Sequence, residues 1–129
     1  MCGIAGIFQQ NNNSLIEKEK IFEMMNKIIH RGPDDEGIYT DDEVGLGFRR
    51  LSIIDLKNGS QPMKDLQSDN YIIFNGEIYN YLELRNELIE LGYNFKTTSD
   101  TEVLLKMYLH YEEECVKKLN GMFSFVIWN

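Results

Sequence analysis

Proline and cysteine are scarce in this sequence, with two of each in 129 residues. Two cysteines, Cys2 and Cys115, are too few for a disulfide scaffold, which favours a reducing, cytoplasmic setting. Basic side chains are also in short supply: 13 Lys and Arg face 21 Asp and Glu, a formal charge of -8. Phosphate binding draws on clusters of Lys and Arg, so no nucleic-acid partner is expected. The acidity reads instead as solvated faces. No apolar run approaches the roughly 20 residues of a membrane span. No basic stretch followed by a hydrophobic segment opens the chain, so neither a membrane partner nor a secretory signal is expected. No histidine or second cysteine lies at ligand spacing from Cys115, and no metal is expected. What is present, 43% hydrophobic and 26% charged residues, suits a single soluble domain with one core.

Apolar periodicity and turn chemistry give the order of elements. Residues 2–8 are short and apolar, a buried strand at the N-terminus. After the polar loop Gln9 to Asn13, a helix is expected from about Ser14. There Ser14 and Glu17 fit a capping box, and Phe22, Met25, Ile28 and Ile29 recur at helical spacing. It should stop before Gly32-Pro33. Short strands are expected near 37–40, 44–48 and 71–74. A second helix spans Asn80 to Leu91, with Leu84, Leu88 and Leu91 on one stripe and Gly92 as terminator. A third begins at Ser99, with Glu102 completing a second capping box and Val103, Leu104, Met107, Tyr108 and Tyr111 on its apolar face. Met122 to Trp128 is strand-like, and its two alternating sets are both mostly apolar, which predicts a strand buried between layers. Such a strand needs neighbours on both sides, so residues 1–129 are expected to be an incomplete catalytic domain. The mixed order of strands and helices predicts an α+β fold.

Five places can carry chemistry. Cys2 follows the initiator Met1, and removal of Met1 leaves a thiol and a free α-amine on one residue. Their reference pKa values, about 8.5 and 7.7–8.0, lie close to neutrality, and such an amine serves as an activating base. Taken alone, Cys2 reads better as a small hydrophobe in a buried strand, and the chemical reading rests on its company. Cys115, after three glutamates and four residues before Leu119, reads as structural, facing the core from a short helix. Arg49 and Arg50 lead into an apolar segment, and the Arg fork matches a carboxylate. Asn75-Gly76 between apolar segments is a strong hairpin signal. It is equally a pair of donors, side-chain amide and backbone N–H, suited to a tetrahedral oxyanion. Asp100 opens a helix, where a carboxylate meets the helix dipole. It is also suited to an α-ammonium.

Taken together and in order, Met1-Cys2-Gly3-Ile4-Ala5-Gly6-Ile7-Phe8, His30-Arg31-Gly32-Pro33-Asp34, Arg50-Leu51-Ser52-Ile53-Ile54-Asp55, Gly59-Ser60-Gln61-Pro62, Asn75-Gly76-Glu77-Ile78-Tyr79-Asn80 and Ser99-Asp100-Thr101-Glu102 closely resemble the glutaminase domain of class II glutamine amidotransferases. Within that class the segment from Arg50 to Asp55 resembles the glutamine-dependent asparagine synthetases. The resemblance implies an N-terminal nucleophile hydrolase fold, stacked antiparallel sheets covered by helices. It implies that Cys2 attacks the amide of glutamine, its own amine moving the proton, and that Asn75 and Gly76 hold the oxyanion. Arg50 would take the α-carboxylate and Asp100 the α-ammonium, with Leu51, Ile53, Ile54 and Glu77 lining the pocket. His30 and Arg31 resemble a loop near that site and receive no catalytic role, and Arg49 is expected to matter much less than Arg50. The implied partners are glutamine, a C-terminal synthetase domain outside these residues, and a second copy in a homodimer. No cofactor is expected for the glutaminase half, while ATP and Mg would belong to the synthetase domain. Two alternatives stay open: an amidotransferase with a different acceptor, and an inactive glutamine-binding or regulatory module, which a retained Met1 would favour.

Overall fold

The computed structural model of the protein describes residues 2–10, 15–51 and 60–129. Two three-stranded antiparallel sheets are stacked, with helices on both outer faces. The first contains β1 (Gly3–Phe8), β2 (Asp35–Thr40) and β3 (Val44–Arg50) in the order β1-β3-β2. The second contains β4 (Met63–Lys64), β5 (Tyr71–Ile78) and β6 (Gly121–Trp128) in the order β4-β5-β6. Helix α1 (Lys18–Lys27) covers the first sheet, and α2 (Tyr81–Glu90) and α3 (Asp100–Tyr111) cover the second.

Successive side chains of a strand face opposite sides, and β3 shows how the layers use this. Its even positions Val44, Leu46 and Phe48 form a core with Ile73 of β5, between the sheets. Its odd positions Gly45 and Gly47 face α1. A Cβ there would lie 2.7 Å from Ile21 and 2.6 Å from Met25, so glycine lets the helix lie close to the sheet. Strand β5 alternates likewise: Ile72, Phe74 and Ile78 pack under α2 and α3 with Leu84, Leu88, Val103, Leu104 and Met107. Its odd positions face the first sheet, where Tyr71 stacks on Tyr39 with ring centroids 3.8 Å apart. Both sheets are therefore covered on both sides over their centre.

Three local expectations are corrected. Helix α1 begins at Lys18, with Glu17 as an N-cap that makes no side-chain cap hydrogen bond, so Glu17 does not complete a capping box; Ser14 lies outside the described residues. The buried positions of α1 are Ile21 and Met25, while Phe22 and Ile29 are exposed, because the helix must dock against the two glycines of β3 and that fixes its phase. Asn75-Gly76 makes no turn: β5 runs straight through it, with Asn75 opposite Ser124 and Gly76 opposite Phe123. The glycine serves there as a point of close approach, since a Cβ would collide with the Met122 carbonyl and lie 2.6 Å from the Phe123 Cα.

The other two helices agree more closely with the sequence. Gly92 ends α2 in the left-handed region (φ 92), with its N–H on the Ile89 carbonyl and the Tyr93 N–H on the Leu88 carbonyl, a Schellman termination. Leu84 and Leu88 are buried, but Leu91 is exposed at the helix end. Ser99 caps α3 by accepting from the Glu102 N–H at 3.3 Å. Glu102 reaches past the cap and accepts from the N–H groups of Lys96 and Thr97, securing the loop before the helix. Cys115 is fully buried on a short 3-10 segment, Glu112–Lys118, as expected of a structural cysteine.

Candidate active site

The first sheet holds Cys2 immediately before β1. Its sulfur lies 3.4 Å from the Leu51 nitrogen, which donates to it, and 3.9 Å from the Leu51 carbonyl oxygen. Its own carbonyl accepts from Arg31 Nε at 3.1 Å. Arg31 ends a 3-10 turn, Ile29–Arg31, that follows α1. Gly32 lets this turn lie directly on β3, since a Cβ at Gly32 would collide with the Arg49 carbonyl carbon and lie 2.6 Å from the Arg50 nitrogen. Both ends of the Cys2 residue are thus fixed, the thiol by the strand exit at Leu51 and the peptide by Arg31. The contact from Arg31 was missed in the sequence, where Gly32-Pro33 accounts for the turn and nothing marks the guanidinium as reaching residue 2. His30 is exposed.

Arg49 and Arg50 are both buried, at 6% and 7% exposure, and the strand sends them to opposite faces. Arg49 lies on the α1 side, paired with Glu36 at 2.6 Å and donating to Asn26 Oδ1 at 2.7 Å and to the Met25 carbonyl at 3.4 Å. It is a structural clamp between helix and sheet, on the side away from Cys2. Arg50 follows Val44, Leu46 and Phe48 in parity and lies on the inter-sheet side, the side on which Cys2 packs.

Asn75 and Gly76 are supplied by β5 from the opposite sheet. Asn75 shares parity with Ile73 and so faces the first sheet. Its side-chain amide oxygen is buried and has no hydrogen-bond partner among the described residues. The oxygen and nitrogen of an amide exchange places on a half-turn, so this position can present either an acceptor or an NH2 donor.

Asp100 sits in the first turn of α3, and its carboxylate accepts from the Ile78 N–H at 3.1 Å. Burial pushes its carboxyl above the usual carboxylate range, against the N–H groups of Ile78, Thr101 and Asp100 itself, and the nearby Glu77 carboxylate adds to the rise. A partly buried carboxylate with a raised pKa and no cationic partner among the described residues is electrostatically incomplete. A ligand ammonium would complete it. Glu77 is exposed beside it. Ile53 and Ile54 lie outside the described residues. Among the described residues no group of three His, Cys, Asp or Glu side chains is placed to hold a metal ion.

A thiol, a buried guanidinium and an amide with an unmatched polar end thus lie on the facing sides of the two sheets, and a desolvated carboxylate lies at the edge of β5, on the Ile78 N–H. A guanidinium on one sheet and a carboxylate at the edge of the other are the two charges that a ligand such as a free amino acid would need.

Comparison with known proteins bears on the fold and the family. In solved structures the architecture is similar to glutamine phosphoribosylpyrophosphate amidotransferase from B. subtilis, with a TM-score of 0.79 at 17% identity over all of this chain and 35% of that one. The layered α+β fold is thus shared with that amidotransferase. In sequence the chain is 54% identical to asparagine synthetase [glutamine-hydrolyzing] 1 of Bacillus subtilis (strain 168), over the whole of this chain and 21% of that protein. It is 39% identical to asparagine synthetase B [glutamine-hydrolyzing] of Escherichia coli (strain K12), over the whole of this chain and 23% of that protein. The chain spans about a fifth of the length of these relatives. The family model of the glutamine amidotransferase domain matches residues 1–129, and the chain belongs to that family.

Proposed function

We propose that this domain hydrolyses glutamine to glutamate and ammonia through Cys2, once removal of Met1 frees its α-amine. The observation that carries the reading is the buried Asn75 amide oxygen with no partner among the described residues, on the face of β5 turned to the sheet of Cys2 and Arg50, with the desolvated Asp100 carboxylate at the edge of the same strand. The Cys2 sulfur adds to the side-chain amide carbon of glutamine, and the carbonyl oxygen becomes an oxyanion. The Asn75 amide and the Gly76 N–H are the donors suited to hold that charge, a stabilisation typically worth about 3–4 kcal/mol per donor. The Cys2 amine, having taken the thiol proton, passes it to the departing nitrogen. Ammonia leaves and a γ-glutamyl thioester remains. Water adds to the thioester, and the thiol is restored with release of glutamate. Arg50 holds the α-carboxylate and Asp100 the α-ammonium throughout, so the reacting amide is fixed from the far end of the substrate. Leu51 and Glu77 belong to the pocket wall in this reading; Ile53 and Ile54 are assigned to it by resemblance alone.

In this reading the ammonia is used by a C-terminal synthetase domain outside these residues, which converts aspartate to asparagine with ATP and Mg. Support comes from the two relatives, named glutamine-hydrolysing asparagine synthetases, that are similar to this chain over its whole length. A homodimeric assembly belongs to the same proposal.

The test is Cys2→Ala in the full-length protein. Glutamine-dependent ammonia release should vanish while synthesis from added ammonia persists. An electrophilic glutamine analogue should add its mass to Cys2 and not to Cys115, which is fully buried. Wild-type glutaminase rates in Cys2→Ala would overturn the assignment.

A further inference from the structure

Strand β5 is eight residues long, but β4 pairs only with Tyr71 and Ile72. Beyond Ile72 the β4 side of β5 is left to other groups. Along an antiparallel strand the N–H groups alternate sides, so those of Phe74, Gly76 and Ile78 point to this same edge. Two of the three have side-chain acceptors. Phe74 N–H donates to Gln61 Oε1 at 2.6 Å, and Ile78 N–H donates to Asp100 Oδ2 at 3.1 Å. The Gly76 N–H lies between them, about 7 Å along the strand from each.

Gln61 does more than occupy the edge. Its Nε2 donates to Thr101 Oγ1 at 3.3 Å, on the residue that follows Asp100 in the first turn of α3. Gln61 is buried at 9% exposure and Thr101 at 4%. The Gln61 backbone is itself pressed against β2, where a Cβ on Gly37 would collide with the Gln61 carbonyl. One buried side chain thus joins the strand just before Asn75 to the helix turn that carries Asp100, from a base anchored on the other sheet.

We infer that Gln61, through Thr101, is a positioning residue that sets the separation between the Gly76 N–H and the Asp100 carboxylate, and so matches the site to the length of glutamine. The inference rests on the proposed glutaminase reading. Asp100 and Gly76 belong to different elements, and their spacing depends on how α3 is held against β5. Apolar packing holds the body of α3, but it is not directional, and the Asp100–Ile78 hydrogen bond fixes only one point of the first turn on the strand edge. The Gln61 bridge supplies the second point, on the other side of Gly76. It also caps Phe74 N–H with a side chain, so that strand pairing does not run on and cover the Gly76 N–H.

The experiment uses the full-length protein with Gln61→Met, Thr101→Val and Thr101→Ser. Four quantities are read: kcat and KM for glutamine hydrolysis, the rate at which an electrophilic glutamine analogue labels Cys2, the rate at which iodoacetamide labels Cys2, and Tm. Iodoacetamide reaches the thiol without using Asp100. Gln61→Met and Thr101→Val should lower kcat/KM and analogue labelling about tenfold or more, chiefly through KM, with iodoacetamide labelling within about twofold of wild type. Thr101→Ser keeps the hydroxyl and should behave as wild type. Parallel loss of both labelling rates with a fallen Tm, or Thr101→Val indistinguishable from wild type, overturns the tether and leaves the glutaminase reading standing. A wild-type protein that neither hydrolyses glutamine nor takes the analogue overturns both.

Discussion

At Arg49 and Arg50 two adjacent, chemically identical side chains are separated by one step of strand alternation. Arg49 is consumed by Glu36, Asn26 and the Met25 carbonyl, so Arg49→Ala leaves all three without their donor. Glu36 and Asn26 are exposed and can turn to water, so the effect should appear as a lowered Tm equivalent to about 1–3 kcal/mol, the range of lost hydrogen bonds to a charged group. Arg50→Ala should act on recognition, weakening glutamine binding and glutamate inhibition together by about 2–5 kcal/mol. Equal loss of Tm in both variants would mean that Arg50 is structural too. Asp100 separates stability from function in the other direction. Its folded pKa is raised by burial, so the folded state holds the proton more tightly than the unfolded chain. The stability contributed by that proton is complete below the unfolded pKa and is lost as pH rises through the folded one. At neutral pH the ligand-free protein therefore carries a carboxylate that costs it stability. Asp100→Asn should melt at the same or a higher temperature while losing glutamine affinity. In a Cys2→Ala background, where no chemistry intervenes, calorimetry should show glutamine affinity falling on acidification at a pH above the usual Asp range near 3.9. Loss only at or below that range would contradict the assignment of Asp100 to the ammonium.

Among the elements, helix ends and close approaches carry the glycine pattern. Gly92 has open space around its missing side chain but a φ of 92, so Gly92→Ala meets a purely conformational cost of about 1–2 kcal/mol. Denaturant unfolding should register that cost with glutaminase kinetics unchanged. Gly32 is the opposite case. Its conformation is ordinary, but an added Cβ would strike the β3 backbone at Arg49 and Arg50, which cannot swing aside as a side chain can. Gly32→Ala should displace the 3-10 turn, withdraw Arg31 from the Cys2 carbonyl and slow labelling of Cys2 even by iodoacetamide. A variant that loses stability and keeps the labelling rate would show that the Arg31 contact does not position the nucleophile.

For the whole molecule the informative strand is β6. Its set Phe123, Phe125 and Ile127 packs against the core beneath α2 and α3. Its other set lies on the face directed at the first sheet, yet Met122 is 63% and Val126 38% exposed. The expected burial between layers is met on one side only, because the three described strands of the first sheet do not extend over β6. Phe8, near Trp128 and 61% exposed, enlarges the same apolar area. Among the described residues β6 pairs with β5 alone, and an open edge beside exposed apolar side chains is a template for association. A polypeptide of residues 1–129 alone should sediment as a self-associating species, and Val126→Lys, which places a charge on that area, should reduce the association. A sharply melting monomer from the unmodified polypeptide would contradict this.

The sequence by itself determined whatever is set by near neighbours. Ser99 capping α3 and Gly92 closing α2 are local hydrogen bonding and backbone freedom, and the burial of Leu84 and Leu88 follows from helical period. The ordered motifs around Cys2, Arg50, Asn75 and Asp100 likewise carry the family. Tertiary structure decided what depends on partners distant in the chain. It turned Asn75-Gly76 from a hairpin signal into the middle of a strand, because β6, some fifty residues later, pairs through it. It chose Ile21 over Phe22 as the buried face of α1, because Gly45 and Gly47 are where the helix docks. It brought Arg31 to the carbonyl of Cys2 and set Gln61 between Phe74 and Thr101. Contacts between residues 13 to 40 positions apart leave no local periodicity in a sequence. They exist only once the sheets have stacked.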